Sequence, residues 1–200
     1  MKQKFSKNIF ASSDAQYMSC PEEVAQHLAK NLSKFNTAVE LCSGVGVTTI
    51  QLAKQMKKVT GVDINQENIF AAKKNAVLYG VSDKTEFILG DVLSVKLLKS
   101  IKAEVAVLDP DWSNQDSDKT KHVLELDKTQ PNLKKLYNLT KKYVTNNIVA
   151  RVPKTFTLKT ISKLGPCNIE NVYWGNKLRF KIAYFLGTVD KTVERDVFFD

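Results

Sequence analysis

Long hydrophobic runs are missing from this sequence. No stretch approaches the roughly 20 apolar residues that cross a bilayer, and Met1-Lys2-Gln3-Lys4 has no apolar core behind it. The expectation is therefore a soluble, cytoplasmic chain with no membrane contact and no secretory leader. Cysteine is scarce: Cys20, Cys42 and Cys167 lie far apart, and only His27 and His122 accompany them, a set without the spacing of a zinc site. Reduced thiols and no metal are expected. The Asn138-Leu139-Thr140 sequon then carries no meaning, because glycosylation needs a secretory route. No internal repeat appears.

What is present in excess is positive charge. Thirty Lys and Arg against 21 Asp and Glu give a formal net charge of +9 and a pI near 9.3. Such a balance points to nucleic acid as a partner, and equally to a lysine-rich solvated surface, so it must be weighed with the site. An apolar content of 43% in 200 residues suits one domain with a proper core.

The organising stretch is Val39-Glu40-Leu41-Cys42-Ser43-Gly44-Val45-Gly46, followed by Val59-Thr60-Gly61-Val62-Asp63. Gly44 and Gly46 allow a sharp strand-to-helix turn with no side chain between main chain and ligand, and Asp63 can accept two hydrogen bonds from a ribose diol. A dinucleotide site would have a third glycine where Thr49 stands, and Glu40 would repel a pyrophosphate. That acid suits the cationic end of S-adenosylmethionine. A bare pair of glycines is weak evidence, but Gly90-Asp91 after another strand strengthens it.

In chain order, residues 1–18 are polar and irregular, with Phe5, Ile9, Phe10 and Tyr17 as possible anchors. A helix starts at Pro21 and runs to about 34, with Glu22 and Glu23 opposing the dipole and Val24, Leu28 and Leu32 in a stripe; His27 beside it reads as packing. Strands are expected at 37–41, 58–62, 85–89 and 104–108, with helices at 47–56, from an Asn65 cap to Tyr79, and through Leu97. Residues 113–130 form a long polar connection, a lid or disorder. A helix at 131–142, a strand at 143–152 closed by Pro153, a helix near 157–164, and a hairpin of 168–174 and 178–186 around Gly175-Asn176 complete the chain. The pattern predicts an α/β fold: a Rossmann-like, seven-stranded, mostly parallel sheet with a terminal antiparallel hairpin and helices on both faces. Glu40, Asp63, Asp91 and Asp109 then fall at four strand ends, where ligands of such sheets bind.

Asp109-Pro110-Asp111-Trp112 follows the fourth strand. An exocyclic amine on a base is conjugated and weakly nucleophilic, so acceptors must hold its N–H groups and aim its lone pair. Asp109 and the Pro110 carbonyl suit that role, and Trp112 offers a stacking surface worth roughly 1–3 kcal/mol, more for a cationic base. In-line attack then needs mainly positioning. A plain turn with a buried aromatic is the competing account of the same four residues.

Several segments together resemble the trimethylguanosine synthase, or RNA cap guanine-N2 methyltransferase, family. They are Cys20 to Ala29, Glu40 to Ile50, Gly61 to Ile64, Ala72 to Lys84, Glu86 to Asp91, Thr145 to Val149, and Asn176-Lys177-Leu178, so the resemblance covers about residues 16–187. It implies a class I S-adenosylmethionine-dependent enzyme acting on a guanine amine in RNA, with Glu40, Gly44, Gly46, Asp63 and Asp91 around the cofactor. It places Asp63 on the ribose, Asp91 near the adenine amine and Trp112 on the purine. Residues 1–18 would be an N-terminal extension and 19–200 the methyltransferase domain. The family's Ser-Pro-Pro-Trp-Gly-Gly is here Asp109 to Asn114, Cys20 replaces its Thr, and Asp111 adds a carboxylate beside the base. Another acceptor (an adenine, a protein or a metabolite) and a basic RNA-binding protein that has lost catalysis are the rival readings. Lys177, Arg179 and Lys181 are candidate phosphate contacts.

Overall fold

The computed structural model describes residues 3–113, 122–187 and 189–199. Among the described residues there are eight strands, one more than the sequence pattern predicts, in the orders β3-β2-β1 and β4-β5-β7-β6-β8. The chain divides into two compact units, residues 1–105 and 106–200. Among the described residues, no helix is long and apolar enough to cross a membrane.

In the first unit, α1 (Ser13–Met18) precedes α2 (Glu22–Asn31), β1 (Thr37–Leu41), α3 (Val47–Ala53), β2 (Lys58–Asp63), α4 (Gln66–Leu78), β3 (Thr85–Leu89) and α5 (Val95–Ser100). β1 pairs with β2 and β2 with β3, all parallel. Val39, Leu41, Val59 and Val62 are fully buried, as strands covered on both faces should be. Asn65 caps α4 as expected, its side chain accepting the N–H of Glu67 at 2.8 Å and of Asn68 at 3.1 Å. The expected irregularity of residues 1–18 is corrected by α1, which Ser12 caps by accepting the Ala15 N–H at 3.2 Å. The segment before it is anchored too. Phe5 and Ile9 are buried, and Ser6 donates its N–H (2.6 Å) and hydroxyl (2.9 Å) to Glu22. Burial works against ionisation of Glu22, but these bonds and the Tyr79 hydroxyl outweigh it and hold the carboxyl below its usual range.

In the second unit, β4 (Val105–Leu108) leads through a 3-10 turn (Leu126–Lys128) to α6 (Leu133–Tyr143), β5 (Ile148–Pro153), α7 (Leu158–Ser162), β6 (Asn168–Trp174), β7 (Lys177–Phe185) and β8 (Val193–Phe199). β5 runs parallel to β4, and β7 antiparallel to both β5 and β6. The expected strand start at 143 is five residues early. The aromatic and β-branched run Tyr143-Val144-Thr145 suits a strand, but Tyr143 stays helical, and Val144 and Thr145 both donate their N–H to the Thr140 carbonyl, at 2.8 and 3.1 Å.

β8 is the strand missing from the sequence reading, and it runs parallel to β6 at the sheet's edge. Its Glu194-Arg195-Asp196 breaks any apolar alternation, yet those charges explain its place. Glu170 in β6 is only 1% exposed, and Arg195 bonds to it while the Tyr184 hydroxyl donates at 2.6 Å. Lys181 in β7 is 9% exposed and pairs with Glu194 at 2.8 Å. Two buried charges need partners, and β8 brings one to each.

Candidate functional site

The first unit brings Glu40, Gly44, Gly46, Asp63 and Asp91 together at the carboxyl ends of β1, β2 and β3. The turn after β1 enters the left-handed region at Cys42 (φ +71°), then at Gly44 (+51°) and Gly46 (+83°). Cys42 and Ser43 both donate their N–H to the Val62 carbonyl at 2.9 Å, which folds the loop back onto the end of β2. Gly46 is required twice. Its φ disfavours any side chain, and a Cβ there would lie 3.0 Å from the Ala72 Cβ and 3.1 Å from the Phe87 ring. The strained conformation of Cys42 has no signal in composition or periodicity.

The acids do structural work around this turn. Glu40 is 2% exposed, and its Oε2 accepts the Thr49 N–H at 2.7 Å as well as the Thr49 hydroxyl, tying β1 to the first turn of α3. This explains a threonine at the third position of the motif. Asp63 accepts the Gly44 N–H at Oδ2 (2.7 Å) and, at Oδ1, the Asn65 N–H (2.9 Å) and the Asn68 amide (3.2 Å). Asp91 is exposed and accepts the Leu93 N–H at 2.8 Å, while Gly90 donates to the Asp63 carbonyl at 2.9 Å.

These residues fit the adenosine and amino-acid parts of S-adenosylmethionine. A carboxylate has about four acceptor positions, and these bonds fill two at Oδ1 and one at Oδ2 of Asp63, leaving Oδ2 able to accept a ribose hydroxyl. A Cβ built on Gly44 would meet nothing within 4 Å, so the loop backbone stands open, and the Ser43 hydroxyl beneath it is buried with no hydrogen-bond partner.

The second unit holds the other expected site, and here the structure adds partners. Asp109 Oδ1 accepts the Arg151 Nε at 2.7 Å, with both side chains almost wholly buried (13% and 11% exposed). The same guanidinium lies 4.9 Å from the Trp112 ring centroid and 5.2 Å from that of Phe180. Trp112 and Phe180 are 6.3 Å apart and tilted by 35°, and His122 meets Trp112 edge-on at 6.1 Å. Pro110 is buried between these partners in sequence. Asp111 accepts the Ser113 N–H at 2.8 Å and its hydroxyl at 2.9 Å, so its carboxylate braces the turn. Paired 2.8 Å backbone bonds between Asp111 and Gln130 hold the segment further. Burial, aided by Lys154 and opposed by Asp111, lowers the His122 pKa and favours its neutral ring.

Arg151, Phe180 and His122 are additions to the residues read from sequence. Arg151 had a signal: an arginine inside the apolar run Ile148-Val149-Ala150-Arg151-Val152 must find a counter-charge. Lys181, a candidate phosphate contact, is instead committed to Glu194; Lys177 and Arg179 are exposed. The expected lid or disordered segment lies partly at 114–121, outside the described residues. Among the described residues, no cluster of His, Cys, Asp and Glu could hold a metal ion.

Comparison with known proteins bears on both halves. A family model described as RNA cap guanine-N2 methyltransferase matches residues 35–187. An uncharacterized RNA methyltransferase of Halalkalibacterium halodurans is 33% identical over 99 residues, 48% of this chain and 21% of that protein. Trimethylguanosine synthase of Saccharomyces cerevisiae is 30% identical over 114 residues, 54% of this chain and 36% of that one. The chain thus spans about a fifth and about a third of the length of these two relatives. Among solved structures, an RNA methyltransferase from Salinibacter ruber in complex with S-adenosyl-L-homocysteine superposes with a TM-score of 0.52 at 16% identity, over 90% of this chain and 96% of that one.

Proposed function

The chain belongs to the RNA cap guanine-N2 methyltransferase family, and from that premise we propose that it methylates the exocyclic N2 amine of a guanine in RNA. The cofactor is S-adenosylmethionine, which supplies an electrophilic methyl carbon on a sulfonium. Residues 19–200 make up the methyltransferase domain in this reading, and 1–18 an extension fastened to it by Phe5, Ile9 and the Ser6–Glu22 bonds.

On the cofactor side, Asp63 Oδ2 accepts a ribose hydroxyl, the open backbone at Gly44 leaves room for the amino-acid part, and Glu40 counters its ammonium while bracing the turn. Gly46 keeps α4 and β3 close beneath the turn, and Asp91 serves the adenine amine. On the acceptor side, Trp112 stacks on the guanine, and Asp109 with the Pro110 carbonyl accepts the N2–H groups. The nitrogen lone pair is thereby freed from conjugation and aimed at the methyl. Arg151 holds the Asp109 carboxylate in place through a near-buried pair at 2.7 Å.

The observation that carries this reading is that a single guanidinium holds both Asp109 and Trp112. It fixes a hydrogen-bond acceptor and a stacking surface relative to each other, which recognition of a flat amine-bearing base requires. The test is transfer of radiolabelled methyl from S-adenosylmethionine to RNA, cap dinucleotides and protein, followed by nucleoside digestion. Label in N2-methylguanosine is expected. Label confined to adenosine or to protein would replace the acceptor, and no label with a correctly folded protein would favour a binding role without catalysis.

A further inference from the structure

We infer that the groove between α2 and α3, continued past Tyr79 to Lys7, is a track for the sugar-phosphate backbone of single-stranded RNA outside the methylated nucleotide. The inference rests on the reading that the substrate is RNA, and it assigns part of that RNA to a surface of the first unit.

The groove encloses about 510 Å³ and is lined by Gln26, Ala29 and Lys30 of α2 and by Gln51, Lys54 and Gln55 at the C-terminal end of α3. Among the described residues, no Asp or Glu lines it. Gln26, Lys30, Lys54 and Gln55 are exposed, whereas Ala29 and Gln51 form a buried floor.

Lys54 carries the track beyond the groove. Its ammonium lies 4.7 Å from the Tyr79 ring centroid, and the Lys7 ammonium lies 5.2 Å from the same centroid. Lys7 also donates to the Leu78 carbonyl at 2.8 Å, which fixes it there. Two cations thus share one ring. Burial works against the Lys54 charge, Glu22 supports it and Lys7 opposes it, and the balance lowers its pKa. Glu22 offsets one of the charges, but it is 4% exposed and bonded to Ser6 and to the Tyr79 hydroxyl, so it serves the interior. With Lys30 on the facing helix, the surface carries more cation than its own acid answers, and an external anion relieves that excess.

The pattern also says which anion. Lysines set out along a path suit phosphates strung on a flexible backbone, and such contacts release counterions. The exposed amides of Gln26 and Gln55 stand among those lysines, and each can both donate and accept a hydrogen bond. A ribose 2′-hydroxyl is likewise donor and acceptor, so the lining fits RNA better than DNA.

The experiment is fluorescence anisotropy of the full chain with a labelled oligouridine of about twelve nucleotides, free of the guanine that the acceptor site is proposed to select. Binding in the micromolar range is expected, and no binding at about 100 µM protein would overturn the track. Replacing Lys7, Lys30 and Lys54 together by Gln should weaken binding by about tenfold or more. It should also lower the slope of log affinity against log salt by about 2, as three lost phosphate contacts require. Replacing Lys73, Lys96 and Lys102 by Gln removes the same charge from α4, α5 and the turn after it, and should cost less than about threefold. Equal losses in the two variants would overturn the inference. Affinity for S-adenosylhomocysteine within about twofold of the parent checks the fold of both. Lys30→Gln alone, at an exposed helix position, should still lower the slope by about 0.7. Gln26→Ala with Gln55→Ala should narrow a preference for oligouridine over oligodeoxyuridine, and an unchanged preference would remove the ribose contacts. Methyl transfer to a cap dinucleotide should persist in the triple Lys7, Lys30 and Lys54 variant. Its absence in the parent would defeat the acceptor reading while leaving the oligouridine result standing.

Discussion

Asp63 carries the proposed cofactor role and Trp112 the proposed acceptor role, and they should fail in different ways. Asp63→Ala removes the acceptor for the ribose and also frees the Gly44 N–H, so cofactor affinity should fall by at least about tenfold. Calorimetry with S-adenosylhomocysteine decides it; affinity within a factor of about two of the parent would exclude the cradle. Trp112→Ala should spare that affinity while lowering turnover on RNA by about tenfold or more. Full turnover in this variant would show that the ring is only packing. Glu40, Asp63, Asp91 and Asp109 were legible in the sequence because acids at strand ends stand out against apolar strands. Their hydrogen bonds were not. That Asp63 holds the Gly44 amide, or that Asp111 turns to Ser113, depends on how the backbone of each turn folds back on itself.

At the scale of elements, the edge strand β8 is where sequence periodicity failed. β1, β3 and β6 have the expected boundaries because an apolar run flanked by turn residues leaves little freedom. β8 forms for another reason: its Arg195 and Glu194 neutralise Glu170 and Lys181 in the strands beside it. Arg195→Ala leaves the Glu170 carboxylate buried with only the Tyr184 hydroxyl of these two partners, and should cost about 2 kcal/mol by urea unfolding. Adding Glu170→Gln should recover part of that loss, since it removes the stranded charge. A loss below about 0.5 kcal/mol, typical of an exposed ion pair, would mean that β8 is held by backbone pairing alone.

For the whole molecule, the +9 charge is a statement about partners. If RNA is the substrate, lysines and arginines displace counterions from its phosphates, so RNA affinity should fall by at least about tenfold between about 50 and 200 mM salt. Affinity for S-adenosylhomocysteine should change by no more than about twofold over the same range, because its contacts are local. A flat salt response for RNA would assign the lysines to solvation. The sequence by itself determined the α/β class, the glycine turn, the acids at the strand ends and the family, since each depends on local pattern or residue type at fixed spacing. Only the tertiary structure decided the eighth strand and the joining of Asp109, Trp112 and Phe180 through Arg151. Arg151 and Asp109 are 42 residues apart and Arg195 and Glu170 are 25 apart, and what brings each pair together is the need of a buried charge for a counter-charge, a requirement that says a partner must exist without saying which it is.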